Sequence, residues 1–450
     1  MSYVEDTIAA ISTAPGQGAI AVLRVSGPDA VGVVGAIFDG KVLLKDAKPR
    51  LQHFGMIREA DESVVDQVLV TLFRGPSSYT GEDLVEISCH GGVLVSQKIL
   101  DLLLARGARG AAPGEFTQRA FVNGKMDLTQ AEAVMDLISA QTSLALKAAN
   151  EQLEGRIGYQ MSRAREELLE ILAHIEAYID FPEEDIDPDT GASLRRRMDD
   201  IKGILDQLLS TADQGRILRE GVRTVICGAP NVGKSSLLNV LLGFDRAIVS
   251  EVAGTTRDTI EETIQVNGLP IRLIDTAGMR ESDDSVEREG IHRTERQIIG
   301  ADLILEVVDA SEPRGTRVDF PEQFSGKHLL ILNKTDLGRN EGWKSDEGIG
   351  FSCTEGTGTD ALSQAIFDTM SGGMGDGSGS MVAINARHKA SMSTARKFLE
   401  AAIVALETNQ SPEFVALEIR SSLEGIGEVV GKVDTEELLG VIFGSFCIGK

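Results

Sequence analysis

Nine residues, Gly228-Ala229-Pro230-Asn231-Val232-Gly233-Lys234-Ser235-Ser236, satisfy the pattern G-x-x-x-x-G-K-[ST]. Glycines let the backbone curl until successive N–H groups point inward at phosphate oxygens. Lys234 offers a point charge to the β- and γ-phosphates, and the Ser235 hydroxyl is placed to ligate Mg²⁺. Downstream, Asn333-Lys334-Thr335-Asp336 follows the apolar run Leu329 to Leu332. The two oxygens of the Asp336 carboxylate can accept from guanine N1–H and the exocyclic N2 amine, a bidentate match that adenine lacks. Asn333 is placed to tie neighbouring loops together, and the stem of Lys334 can lie along a base. Ser352-Cys353-Thr354 stands where such domains send a further loop to the base, with Cys353 in place of the usual alanine.

Two segments complete a nucleotide site. Gly254-Thr255-Thr256-Arg257-Asp258, continuing the nucleotide-contacting stretch Ser250-Glu251-Val252-Ala253, lies between the phosphate loop and the next strand, where a threonine hydroxyl completes a Mg²⁺ shell. Asp275-Thr276-Ala277-Gly278 follows a buried strand; Asp275 can hold that shell through water, and the Gly278 amide can touch a γ-phosphate. The pattern is that of a GTPase. Ras-like enzymes orient the attacking water with a glutamine just after D-x-x-G, where this chain has Met279. Another group must do that work. Asn231 with loop oxygens around Ser250 to Thr255 could hold a monovalent cation beside the phosphates. The charged segment Arg280-Glu281-Ser282-Asp283-Asp284-Ser285-Val286-Glu287 could deliver a carboxylate.

The elements needed to hold these groups are legible around them. The apolar run Val222 to Cys227 reads as a buried strand before the phosphate loop, and Leu237 to Leu242 as the helix behind it. From about 220 to 370 strands and helices alternate, the signature of a parallel sheet with crossover helices. Asn267-Gly268, between Thr263 to Val266 and Ile271 to Ile274, predicts a tight hairpin. Ser371 to Ser380, with five glycines, reads as a linker that closes the domain. Before it, Leu168, Leu172, Ile175 and Ile179 mark one stripe of a helix that Pro182 ends, and a further helix is expected over about Ser193 to Asp213. After the linker, Arg387 to Leu406 and Phe414 to Leu423 are again helical in pattern. The first 115 or so residues predict an α+β domain, with strands at Ala19 to Val25, Val64 to Phe73 and Leu84 to Cys89 and a helix at Val93 to Leu104. The simplest architecture has a helical domain made from both flanks, with the nucleotide domain inserted between them.

Composition narrows the function classes. At 450 residues the length suggests about three domains. A formal net charge of -25 argues against a surface that is broadly a nucleic-acid or anionic-membrane binder. The N-terminal residues lack the pattern of a signal peptide, and no apolar run is long enough to span a bilayer. Cys89, Cys227, Cys353 and Cys447 are scattered, with no C-x-x-C pair, and read as reduced thiols of a cytosolic protein.

The chain resembles the bacterial tRNA-modification GTPase family MnmE (TrmE) across essentially its full length. The resemblance is carried by Asp6-Thr7-Ile8-Ala9-Ala10, Leu23-Arg24-Val25-Ser26-Gly27, Tyr79-Thr80-Gly81-Glu82-Asp83, His90-Gly91-Gly92 and Pro113 to Phe121. Asp180-Phe181-Pro182-Glu183-Glu184, the phosphate loop and Phe446-Cys447-Ile448-Gly449-Lys450 add to it. It implies a tetrahydrofolate-binding and dimerising N-terminal domain over 1–118, a helical domain over 119–216 and 378–450, and a GTPase domain over 217–377. It further implies a complex with the FAD-dependent partner MnmG, a heterotetramer that adds a carboxymethylaminomethyl-type group to C5 of the tRNA wobble uridine, with a methylene-tetrahydrofolate supplying the carbon. Position by position, Arg24, Glu82, Lys125 and Lys450 would line the folate pocket; Asn231, Ser250, Val252 and Thr255 would hold K⁺; Ser235 and Thr256 would hold Mg²⁺. Glu287 would orient the attacking water, Arg280 would be a switch residue, and Cys447 matches a cysteine proposed as functional. From the residues alone, Arg24, Glu82 and Lys125 read as surface charges. Two alternatives stay open at this point: a ribosome-associated regulatory GTPase without tRNA chemistry, and a stand-alone one-carbon transferase regulated by GTP.

Overall fold

The computed structural model describes residues 6–180, 191–243, 262–274, 298–315, 324, 326–344, 347–371, 384–431, 436–444 and 446–449. The chain forms two compact units, one of residues 1–135, 155–166 and 423–450, the other of 136–154 and 167–422.

The first unit is built on a seven-stranded sheet in the order β3-β4-β5-β6-β2-β1-β7. Its strands are β1 (Ile8–Ile11), β2 (Ile20–Ser26), β3 (Phe38–Gly40), β4 (Gln52–Arg58), β5 (Val64–Phe73), β6 (Leu84–His90) and β7 (Arg109–Gly110). All neighbours are antiparallel except β1 and β7. Alternation in β2 and β5 turns Leu23, Val25, Val68, Val70 and Leu72 inward, where they pack with Ile99 and Leu103 of α2 (Val93–Ala105) and with α1 (Ala30–Gly35). α3 (Glu115–Val122) sets Phe116 against Ile8, Ala10 and Leu84 of the sheet, and α4 (Leu128–Ser139) follows it. Asp127 starts α4 with a reciprocal cap: its Oδ1 accepts from Gln130 N (3.0 Å), and Gln130 Oε1 accepts from Asp127 N (3.0 Å).

Helices α5 (Ser143–Leu153), α6 (Arg156–Asp180), α7 (Gly191–Ser210) and α8 (Ala212–Glu220) follow. The expected stripe lies on α6, with Leu168, Leu172 and Ile175 buried. The single helix expected to Asp213 is broken at Thr211, where α7 stops and α8 begins.

The second sheet has the order β13-β12-β11-β8-β10-β9. Its members are β8 (Val222–Cys227), β9 (Glu262–Val266), β10 (Leu269–Leu273), β11 (Leu303–Asp309), β12 (Lys327–Asn333) and β13 (Ile349–Gly350). Every pair is parallel except β9 with β10, and the helices α9 (Lys234–Leu242) and α10 (Thr359–Ser371) accompany it. Asn267 and Gly268 turn the β9–β10 hairpin at φ 49° and 86°, the paired positive values of the tight turn that Asn-Gly favours. Helices α11 (Ala386–Glu407), α12 (Pro412–Val430) and α13 (Glu436–Gly444) close the chain. α11 lies along α7, joined by Lys202–Glu400 (2.8 Å) and Arg195–Glu407 (2.8 Å), so segments on either side of the nucleotide sheet build one helical layer. The fold is an α+β N-terminal domain, a helical domain made from both flanks and an inserted α/β phosphate-loop domain. The expected linker beyond Ser371 lies outside the described residues.

Candidate functional site

Sheet register gathers the nucleotide motifs at one edge. β8 runs parallel to β11 with Cys227 opposite Glu306, and β11 runs parallel to β12 with Asp309 opposite Asn333. The carboxyl ends of three strands therefore open together. The chain leaves β8 toward β10 on one side and β11 on the other, the switch point where α/β sheets form a ligand crevice. Gly228 leaves β8 at φ 143°, and a Cβ there would lie 2.2 Å from the Val307 carbonyl oxygen. Only glycine permits that approach. Asn231 is left-handed at φ 62°, and Gly233, at φ 101°, starts α9. The curl turns its amides to one point and adds the positive end of the helix behind.

Lys234 Nζ donates to the Gly228 and Ala229 carbonyls at 3.0 and 2.8 Å, arching over the loop. Burial lowers its pKa, and the neighbouring Cys227 works the other way. A desolvated ammonium above a nest of N–H donors is a site for a polyanion.

One side chain joins three loops. Asn333, 2% exposed, donates from Nδ2 to the Val232 carbonyl (2.8 Å) and accepts at Oδ1 from Cys353 N (3.3 Å). Ser352 Oγ donates to Asp336 Oδ1 at 2.6 Å and accepts from Glu355 N at 3.2 Å. The serine fixes the rotation of the carboxylate and leaves acceptor positions on both oxygens. Asn333, Asp336 and the phosphate loop thus form one site with the donor and acceptor set of a guanine nucleotide.

A second constellation belongs to the first unit. Arg24 on β2 donates from Nε to Glu86 Oε1 (2.9 Å), and its guanidinium carbon lies 5.4 Å from the Tyr79 ring centroid. Glu82 accepts from Ser26 Oγ (2.8 Å) and from Arg119 (3.2 Å). Buried Arg119 also reaches Asp6 Oδ1 (2.6 Å) and Glu115 Oε1 (2.9 Å). Burial raises the Glu115 pKa, but Arg109, the Ala112 N–H and Arg119 outweigh it and the net direction is down; Arg109 is the main cause of a lowered Asp6. Lys125 Nζ donates to the Pro76 carbonyl at 2.9 Å, and its stem lines the left-handed Gly81. Arg24, Glu82 and Lys125 therefore meet around one turn, residues 76–82. Arg24 and Glu82 are partly buried and partnered, not free surface charges, whereas Lys125 is exposed, as a surface charge is expected to be.

The C-terminal tail docks on the same unit. Phe446 is buried with Phe443, Leu128 and Ala131, its ring centroid 5.5 Å from that of Phe443. Gly114 N donates to the Cys447 carbonyl (3.4 Å), and Ser12 Oγ donates to the Gly449 carbonyl (3.0 Å). At Gly449, φ 95°, a Cβ would lie 2.5 Å from Ile11 O, so the seat requires glycine. Cys447 is free and exposed, Cys353 half-buried, and burial pushes Cys89 to about 11 and Cys227 to about 12.

Comparison with known proteins settles the lineage. The family description "GTP-binding protein TrmE N-terminus" matches residues 7–125, and "MnmE helical domain" matches residues 128–447. The tRNA modification GTPase MnmE of Akkermansia muciniphila is 54% identical over 452 residues, covering 100% of both chains. The chain belongs to the MnmE family. The protein of the same name from Ligilactobacillus salivarius is 42% identical, over 99% of this chain and 98% of its own. Among solved structures, the G domain of the T. maritima FeoB iron transporter is 26% identical over 32% of this chain and 96% of its own, with a TM-score of 0.22.

In this MnmE-family chain the structure brings together Asn231, Val232, Gly233, Lys234, Ser235 and Ser236 with Asn333, Lys334 and Asp336. Ser250, Glu251, Val252, Ala253, Gly254, Thr255, Thr256, Asp275, Thr276, Ala277, Gly278, Arg280, Glu287 and Lys450 lie outside the described residues. Two sets of residues escape sequence reasoning. Arg119, Ser26 and Thr80 hold the Glu82 turn, and Asp309 holds Lys334 at 2.6 Å. The sole sequence signal for the second set is Asp309 at the end of an apolar strand.

Proposed function

We propose that this chain is a K⁺-stimulated GTP hydrolase that, with the flavoprotein MnmG in a heterotetramer, modifies C5 of the tRNA wobble uridine using a tetrahydrofolate-borne carbon. The observation that carries the GTP reading is Asn333, bonded at once to the phosphate loop and to the loop of Cys353, beside an Asp336 carboxylate held by Ser352. Lys234 and the loop amides would grip the β- and γ-phosphates, and Asp336 would select guanine. Ser235 with Thr256 would hold Mg²⁺; Asn231, Ser250, Val252 and Thr255 would hold K⁺. Such cations supply charge to neutralise the phosphate oxygens as the bond breaks. Glu287 would orient the attacking water, and Arg280 would act in the switch.

For the carbon donor, a 5,10-methylene or 5-formyl tetrahydrofolate, Arg24 and Lys125 are cations suited to a glutamate tail, and Glu82 is held ready by Arg119 and Ser26. Cys447 belongs to a tail whose residues 446–449 dock on this domain, and Lys450 would line the same pocket. Homodimerisation through 1–118 is supported by an apolar row on the outer sheet face: Phe54 stands opposite Leu69, and Ile20 is exposed on the same face. The remaining boundaries, 119–216 and 378–450 for the helical domain and 217–377 for the GTPase domain, belong to the same reading. No helix among the described residues is long and apolar enough to cross a membrane, and we assign the protein to the cytoplasm. With a charge of -25, the chain should leave most of the tRNA contact to its partner.

The test is mass analysis of wobble uridines. Cells lacking this chain should lose the C5 modification; the wild-type chain should restore it and Glu287→Ala should not. Unaltered uridines in the null strain would overturn the tRNA reading and favour a regulatory GTPase.

A further inference from the structure

We infer that Asp309 is a positioning residue for the purine base, acting through Lys334. The inference rests on the guanine-nucleotide reading of the site. Asp309 is the last residue of β11 and stands in register with Asn333, and the next amide, Ala310 N, donates to the Asn333 carbonyl at 2.8 Å. Its carboxylate is held on one side by Ser311, whose N and Oγ reach Oδ1 at 3.0 and 2.6 Å. On the other side Oδ2 accepts from Lys334 Nζ at 2.6 Å. Desolvation works to raise the Asp309 pKa, but Lys334 and Ser311 prevail and hold it ionised.

Lys334 begins the turn carrying Asp336 in a left-handed conformation, φ 64° and ψ 33°, which a side-chain-bearing residue adopts only when its surroundings impose it. A free lysine stem samples many rotamers. Anchored at Nζ by Asp309 and at its Cα by the turn, this stem is stretched between two fixed points. Its methylenes become a preformed wall for the face of a purine, while Asp336 reads the edge. Asp336 therefore selects the base, and Asp309 sets how firmly any purine is held.

The experiment compares the full-length wild-type chain with Asp309→Asn in titrations with GDP and with inorganic pyrophosphate. Asp309→Asn should weaken GDP by about 5- to 30-fold, the size expected for loss of a partly buried charged anchor, while pyrophosphate affinity stays within about twofold. In a Lys334→Met background Asp309→Asn should have no further effect. Ser311→Ala, a milder change, should weaken GDP by about two- to threefold. An unchanged GDP affinity, an equal loss toward pyrophosphate, or an additive double variant would each overturn the proposal. A wild-type chain that did not bind GDP would instead remove the nucleotide reading beneath it.

Discussion

Replacing Gly233 with alanine tests whether the phosphate and base loops form one unit. A left-handed residue with a Cβ costs about 1–2 kcal/mol. That Cβ would stand 2.1 Å from Asn333 Nδ2, so the asparagine must swing away. Its bonds to Val232 O and Cys353 N go with it, at 2.8 and 3.3 Å, leaving two groups unpaired. Each costs about 1–3 kcal/mol, the longer bond at the low end, and water entering the opened loop recovers part of the loss. The total is about 2–4 kcal/mol, or roughly 30- to 1,000-fold weaker GDP binding if the loop must recover this shape to bind. Asn333→Ala alone should forfeit the two bonds without the strain, about 1–3 kcal/mol. In the double variant there is no side chain left to displace, so its cost should match Gly233→Ala alone. The sum of the single effects should then exceed the double by about 1–3 kcal/mol. Fluorescent-GDP titration at fixed Mg²⁺ and salt measures all four proteins, and thermal melts confirm that each is folded. Effects that add within twofold would refute the reasoning.

Two further outcomes are expected. Arg119→Met should destabilise the N-terminal unit by about 2–4 kcal/mol, because Asp6, Glu82 and Glu115 lose a shared buried partner while Arg109 remains for two of them. Glu115 and Asp6 are lowered from ordinary values of 4.5 and 3.8, so their stabilisation is complete above those values and is lost as pH falls through the depressed ones. Melts of the wild type should therefore fall between about pH 5 and pH 3, and those of Arg119→Met should fall less; parallel curves would count against the cluster. Phe446→Ala removes the anchor of the tail from a small cluster and should cost about 2–3 kcal/mol locally, below the usual core value because the chain end can fray. Amide exchange at Gly114, which now donates to Cys447, should accelerate and 5-formyl-tetrahydrofolate affinity should drop; unchanged exchange would mean the tail is held elsewhere.

The sequence alone determined the parts whose physics is local. Gly228 to Ser235 announces a phosphate nest because curl, helix start and ammonium lie within one short segment. Asn267-Gly268 announces a hairpin because its positive φ angles are a property of those two residues. Strand β5 was legible end to end from its apolar pattern and the Gly-Pro that follows. The tertiary structure alone decided which distant groups share an atom. Asp309 meets Lys334 only because β11 and β12 pair in parallel with Asp309 opposite Asn333, and a one-residue slip would turn the carboxylate to the other face. Arg119 becomes the partner of Asp6 and Glu82 only when α3 packs against the start of β1. The tail 446–449 finds its seat because Gly114 and Gly449 leave room for backbone to touch backbone. A burial cost is recovered only where a partner arrives from elsewhere in the chain, and no spacing along the sequence encodes that arrival.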